Sequence, residues 1–218
     1  MRHASSPAHP SGTTATAGAR RPRARRGEGS RLREEIVAAA AGMLAASGET
    51  ADLSLRSVAR SVGVAATSIY PHFRDLDRLI LAVKQVFLTE FGEALEAAAR
   101  AAGERPSDRV RARTRAYYDY GMRNPGRYKV MFSSQPLNLA FGPDDYPGRE
   151  VFARVRDDVA AATGETGAAA DLTATHLWTA IHGIVTLRLV RPRFPWPDLD
   201  VELDDLIGRL LRPAPAGD

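Results

Sequence analysis

Residues 55–73 read LRSVARSVGVAATSIYPHF, and this stretch decides the fold. Leu55, Val58, Ala59 and Val62 share one face of a 3.6-residue period, and Ser54 stands where its hydroxyl can cap the free amides of residues 55–57. Gly63 follows the last apolar position. A short second segment, 65–70, is closed by Pro71, because proline disfavours helical geometry in the residue before it. Two short helices that cross steeply need a small side chain at the crossing, a glycine where the backbone turns left-handed, and apolar residues on both inner faces. Ala59, Gly63 and Ile69 supply these, and Val58, Val62 and Val64 complete the inner face.

Working outward, the spacing predicts helices on both sides. Leu32, Ile36, Ala39, Ala40 and Met43 recur at helical intervals, which predicts a helix over 31–46 with Ser30 as its cap and Gly48 as its stop. A long fourth helix starts from Asp75 and turns Leu76, Leu79, Ile80, Val83, Phe87 and Phe91 inward. Beyond the break at 103–106 the pattern predicts a helix to about residue 123, a plain turn at Asn124-Pro125-Gly126 and a short helix ending near Phe132. A surface loop is expected over 133–148, then helices over 150–163, 168–190 and 201–211. Residues 183–190 would also suit a strand, since Ile184-Val185-Thr186 and the alternation around Arg188 fit either period. The fold class is all-α: an N-terminal three-helix helix-turn-helix domain joined through a long helix to a second helical domain.

Composition bounds what such a chain can be. Its 218 residues, 44% hydrophobic and 26% charged, describe a globular protein able to bury a core. The longest apolar run, 36–46, has eleven residues, against the roughly 20 needed to cross a bilayer. With no cysteine there is no disulfide, thiolate nucleophile or cysteine-held metal, and a reducing cytoplasm suits the chain. The net charge of +4 is uneven: residues 1–30 carry +5, residues 31–83 are neutral and residues 84–218 carry −1. The expected organisation is therefore a disordered arginine-rich arm at 1–29, the helix-turn-helix at 30–83, the second helical domain at 84–212 and a frayed tail at 213–218. Flexible arginines suit a polyanion, although a simply solvated start fits the same composition. Arg25-Arg26 does not begin a twin-arginine export signal, because Arg31, Arg33, Glu34 and Glu35 interrupt before any apolar region.

The face left outside the crossing carries Arg56, Ser57, Ala66, Thr67, Ser68 and Tyr70, which is short and polar. A DNA major groove admits one such element and offers donors and acceptors to its hydroxyls. The segment resembles the DNA-binding domain of TetR-type transcriptional regulators over about 31–83: the first helix, the Leu53-Ser54-Leu55-Arg56 start, the Gly63-Val64 turn, the Ile69-Tyr70-x-His72-Phe73 signature and the aliphatic Leu79-Ile80. The resemblance implies that Ser54, Arg56, Ala66, Thr67, Ser68, Tyr70 and His72 meet DNA, with Arg56, Ala66 and Thr67 near bases and Ser68, Tyr70 and His72 on phosphates. Three positions depart from the family pattern. Ala65 stands for a serine or threonine, Pro71 for a basic or aromatic residue, and Leu76 for a lysine, so fewer fixed phosphate contacts are expected and the arm could supply them.

The later two thirds hold no glycine-rich dinucleotide fingerprint, no phosphate-loop lysine and no His-Glu-x-x-His, so no cofactor is expected. Tyr128-Lys129-Val130-Met131-Phe132 and Trp178-Thr179-Ala180-Ile181-His182-Gly183 resemble the C-terminal domain of the TetR subgroup named for its Trp-His-Gly motif. That resemblance implies a homodimer whose last two long helices pair with their mates in a four-helix bundle, and an effector pocket inside each subunit. Residues 168–190 are also apolar on more than one face, which by itself asks for burial on two sides. Tyr117, Tyr118, Met122, Met131, Phe132, Phe152, Trp178 and His182 are the candidate pocket lining, although such a stripe also fits a plain core. His176 and His182, six residues apart, point to different faces and do not predict a metal site. Asp144-Asp145 and Asp157-Asp158 are adjacent pairs that diverge, so no acid–base set emerges, and Arg109, Arg111, Arg113 and Arg115 are expected on a solvated surface. The expected function is a cytoplasmic regulator, a repressor released from a palindromic double-stranded operator when a small apolar effector shifts the long helix. A helical enzyme and a protein-interaction adaptor are the alternatives.

Overall fold

The computed structural model describes residues 28–132 and 146–212, and every described regular element is helical. The proposed arm up to residue 27, most of the 133–148 loop and the 213–218 tail lie outside the described residues. In order, the helices are α1 (Glu28–Ser47), α2 (Leu55–Val62), α3 (Leu76–Ala101), α4 (Pro106–Arg123), α5 (Pro125–Phe132), α6 (Arg149–Thr163), α7 (Ala168–Val190) and α8 (Leu199–Leu210). Residues 183–190 are helical throughout, so the apolar alternation there reflects burial and not a strand.

Local chemistry explains most boundaries, and in three places it overrides the sequence reading. α1 begins at Glu28, which puts Ser30 inside the first turn instead of ahead of it; Gly48 ends the helix at φ +69°. The segment expected as a third helix is one 3-10 turn, Ala66–Ser68. Pro71 brings no amide to bond back to Thr67 and crowds Tyr70, so an α-helix cannot propagate there. At Asn124-Pro125-Gly126 the expected plain turn is the start of α5, because proline is well suited to a first helical position where no amide bond is needed.

One continuous core runs from Ile36 in α1 to Ile207 in α8. α4 is its axis, packed against α3, α5, α6, α7 and α8, while α1 packs on α2, α3 and α5. α3 passes unbroken through residues 83 and 84, with Val83, Lys84, Phe87 and Phe91 all buried, so it belongs to both ends of the molecule. The arginine run on α4 divides: Arg111 and Arg115 are exposed as expected, whereas Arg109 is half-buried and Arg113 is buried. Arg109 and Arg113 bind Asp158 of α6, Arg113 also meets Glu96 of α3 at 2.7 Å, and Arg111 and Arg115 pair with Asp204 and Asp200 of α8. Arg113 is only 4% exposed. Alternate arginines thus tie α4 to helices on opposite flanks.

Candidate nucleic-acid interface

Ser54 accepts a hydrogen bond from the Ser57 amide at 3.0 Å, and the Ser57 hydroxyl oxygen accepts from the Ser54 amide at 3.1 Å. This reciprocal capping box fixes where α2 starts and leaves Arg56 exposed just inside it. α2 ends at Gly63, φ +77°, whose left-handed turn lets the Val64 amide donate to the Ala59 carbonyl at 3.0 Å. The chain then re-enters as the 3-10 turn. A three-residue period stacks Ala66 under Ile69 on the inside and Thr67 beside Tyr70 on the outside. Ile69 is fully buried, Ala66 packs on the core, Thr67 is exposed and Tyr70 is 57% exposed.

The Tyr70 ring stands out because the residues on either side of it are anchored. The His72 and Phe73 amides both donate to the Ile69 carbonyl, at 2.8 and 2.9 Å, and the buried Phe73 ring has the Arg33 guanidinium of α1 5.0 Å from its centre. Asp75 then caps α3, accepting from the Arg78 amide at 2.9 Å. Of the seven residues picked out from the sequence, Ser54, Arg56, Thr67 and Tyr70 are exposed, and Ser68 and His72 are half-buried beside them. Ala66 faces the core. The exposed set offers one guanidinium, two hydroxyls and a phenol from a rigid elbow, which is chemistry for base edges and phosphates.

The proposed pocket residues divide into two groups. Tyr117, Phe132 and His182 meet in a ring cluster with Tyr128, which the sequence reading did not pick out. Tyr128 Oη lies 2.6 Å from His182 Nδ1, and Tyr117 Oη lies 3.3 Å from both. Phe132 sits edge-on to His182 at 4.9 Å, and Met131 is buried alongside. Burial pushes the Tyr117 phenol far up, pushes Tyr128 up to about 12, and lowers His182. Phe152 and Trp178 form a neighbouring pair at 5.7 Å. Tyr118 faces the other way, with its ring 5.8 Å from the Arg188 guanidinium, and Met122 lies one turn beyond it on α4. Tyr128 was detectable: it lies four residues before Phe132, on the same face of a short helix.

α5 joins this cluster to the helix-turn-helix. Its first turn presses on the end of α1 so closely that a Cβ on Gly126 would lie 2.0 Å from the Ala45 carbonyl oxygen. Lys129 of α5 also pairs with Glu49, just beyond α1. The outward face of α7 is open, with Leu172, Leu187 and Val190 exposed, and nothing lies within 4 Å of where a Gly183 Cβ would stand.

Residues 110–212 match the family of tetracyclin repressor-like C-terminal domains. Solved structures share the architecture across nearly their whole length. The multidrug binding protein EbrR, complexed with imidazole, is 23% identical with a TM-score of 0.62, covering 86% of this chain and 93% of its own. A TetR-like transcriptional regulator from Rhodococcus sp. RHA1 is 20% identical at 0.59, covering 88% and 96%. A TetR family transcription regulator from Marinobacter aquaeolei VT8 is 15% identical at 0.58, covering 86% and 97%.

Proposed function

We propose, for a chain whose residues 110–212 form a tetracyclin repressor-like C-terminal domain and whose fold is that of the TetR-type transcriptional regulators, that it is a dimeric, ligand-responsive DNA-binding repressor of the cytoplasm. One observation carries the reading: Thr67 and Tyr70 project together from an elbow whose inner residues, Ile69 and Phe73, are buried. Residues 30–83 act as the reading head and 84–212 as the effector and dimer unit. Arg56 and Thr67 meet base edges, Ser54, Ser68, Tyr70 and His72 hold phosphates, and Ala66 acts by packing the turn against the core.

One head reads too few base pairs for a unique site, and the α7 surface supports pairing of two. Leu172, His176, Thr179, Gly183 and Val190 lie along the face opposite the buried Ala174, Leu177, Ile181 and Val185, with spacings of three, four or seven residues, and Thr186, its hydroxyl buried beside Tyr128, marks the edge of that face. Gly183 midway along it permits close approach of a second α7. Two heads held on one side of the duplex would meet half-sites about 34 Å apart, or a multiple of that, in an inverted repeat.

Release follows from α5. An effector among Phe132, Phe152, Trp178 and His182 disturbs the Tyr128 end of α5, whose other end bears on Ala45, so the head moves relative to its mate. α3 is the second, longer route. The coupling is limited to the effector's preference for the released state.

Mobility shift of random-sequence duplex at several salt concentrations tests the reading. Arg56→Ala and Tyr70→Ala relax sequence choice, whereas deleting residues 1–27 flattens the salt dependence by about 0.9 in slope for each phosphate the arm engages. Sequence-independent retention by all three proteins contradicts it.

A further inference from the structure

An open cleft of about 420 Å³ lies where α3, α4 and α6 meet, and its whole lining is charged: Glu96 and Arg100 from α3, Arg109 and Arg113 from α4, Arg154, Asp157 and Asp158 from α6. Part of this charge is spent within the wall. Asp158 gives Oδ1 to Arg109 Nε at 2.9 Å and Oδ2 to Arg113 Nε, and Glu96 Oε2 accepts from Arg113 Nη2 at 2.7 Å. Asp157 is held by Arg156 at 2.8 Å, a pair neutral by itself, and Glu104 adds only longer-range attraction to Arg109. The remainder is cationic. Arg154 and Arg100 come no nearer to Glu96 than 3.5 and 3.7 Å, too far for good hydrogen bonds, and Arg109 uses only its Nε. Four guanidiniums thus face Glu96 and Asp158, a surplus of two positive charges. Arg100, Arg109 and Arg154, one from each helix, keep terminal N–H groups with no hydrogen-bond acceptor among the described residues.

The floor of the cleft is rigid, because Arg113 is 4% exposed and Asp158 locks Arg109 beside it, so the guanidinium of Arg109 is aimed before anything binds. The forked N–H groups of a guanidinium match the oxygens of a tetrahedral anion, and a double charge offsets the surplus that a single one would halve. Duplex DNA is not the occupant: Arg100 stands 24 residues along α3 from Leu76, about 36 Å at 1.5 Å per residue, at the end away from the reading head. We infer that this cleft binds a phosphate dianion, free or as the monoester of a small molecule, with Arg100, Arg109 and Arg154 donating to its oxygens. The site shares no residue with the ring cluster around Tyr128, and the inference does not rest on the regulator reading.

The test is titration calorimetry of the full chain at constant ionic strength with glucose 6-phosphate, inorganic phosphate, sulfate and chloride, alongside the rise in Tm each produces. The three tetrahedral anions should bind and chloride should not displace them; the tighter of the two phosphates says whether the free ion or the ester is preferred. Arg100→Gln and Arg154→Gln alter side chains 66% and 52% exposed, which leaves the core intact, and each should weaken binding about tenfold, as loss of one charge-assisted hydrogen bond does. Arg209→Gln, on an exposed pair of α8, should change nothing. Between pH 7 and pH 5 glucose 6-phosphate should weaken about tenfold as it takes up a proton near pH 6, while sulfate, doubly charged throughout, holds steady. Neither heat nor a rise in Tm with any dianion overturns the inference, as does chloride binding as tightly as sulfate. Phosphate binding that survives both substitutions assigns the anion to the arginines of residues 1–27 and overturns it as well.

Discussion

Gly126→Ala should separate the reading head from the effector unit. The added Cβ would sit 2.0 Å from the Ala45 carbonyl oxygen and 2.9 Å from its carbon, both backbone atoms of α1 that no rotamer change can withdraw. Restoring an ordinary contact requires α1 and α5 to part by roughly 1 Å, an overpacking penalty of about 1–3 kcal/mol. The same parting stretches the Lys129–Glu49 pair and tilts α1, on which α2 packs. Urea denaturation should therefore show a lower midpoint at unchanged slope, and operator affinity should fall. Gly42→Ala is the control. Gly42 is exposed in mid-α1 with nothing within 4 Å of its Cβ position, so the change should stabilise by roughly 0.5–1 kcal/mol through helix propensity alone. If Gly126→Ala leaves both midpoint and operator affinity at the parent values, α5 does not bear on the head as described.

Three further outcomes follow from the buried charges. Asp158→Asn leaves Arg113 buried with only Glu96 as counter-charge and should cost about 3 kcal/mol in urea denaturation, whereas Asp205→Asn, on an exposed pair, should cost little. Lys84 is buried in α3 without an ion-pair partner among the described residues, and burial lowers its pKa. Lys84→Met should stabilise by about 1 kcal/mol and raise Tm by roughly 2–4 °C. Burial also lowers the His182 pKa below its ordinary 6.5, so between the two values the unfolded chain binds a proton that the native state does not. Stability should fall as pH drops below about 6.5, and His182→Phe should remove that part of the slope; identical pH profiles would refute it.

What was legible in the sequence was what depends on neighbours in the chain. The inward faces of α2 and α3, the Ser54 and Asp75 caps and the Gly48 and Gly63 stops all follow from residues within one or two turns. The 3-10 turn was half legible: Pro71 announced an end, but only the pairing of Ile69 with the core decides that Thr67 and Tyr70 stack outward as a period of three. Where the partner is distant, periodicity is silent. Arg113 on α4 read as solvated because its acid Asp158 stands on α6, 45 residues away. Gly126 read as a turn residue for the same reason, its constraint being the Ala45 backbone. Tyr118 and Tyr117, adjacent in sequence, point to different neighbours, and no apolar count distinguishes them.

The most direct test is selection of duplexes by the purified full chain from a randomised pool, followed by sequencing of what is retained. The account predicts an inverted repeat, with half-site centres one or a whole number of helical turns apart, whose preferred bases change when Thr67→Ala replaces the parent. Retention of no duplex, or of a pool without repeat symmetry whose composition is indifferent to Thr67, would contradict it.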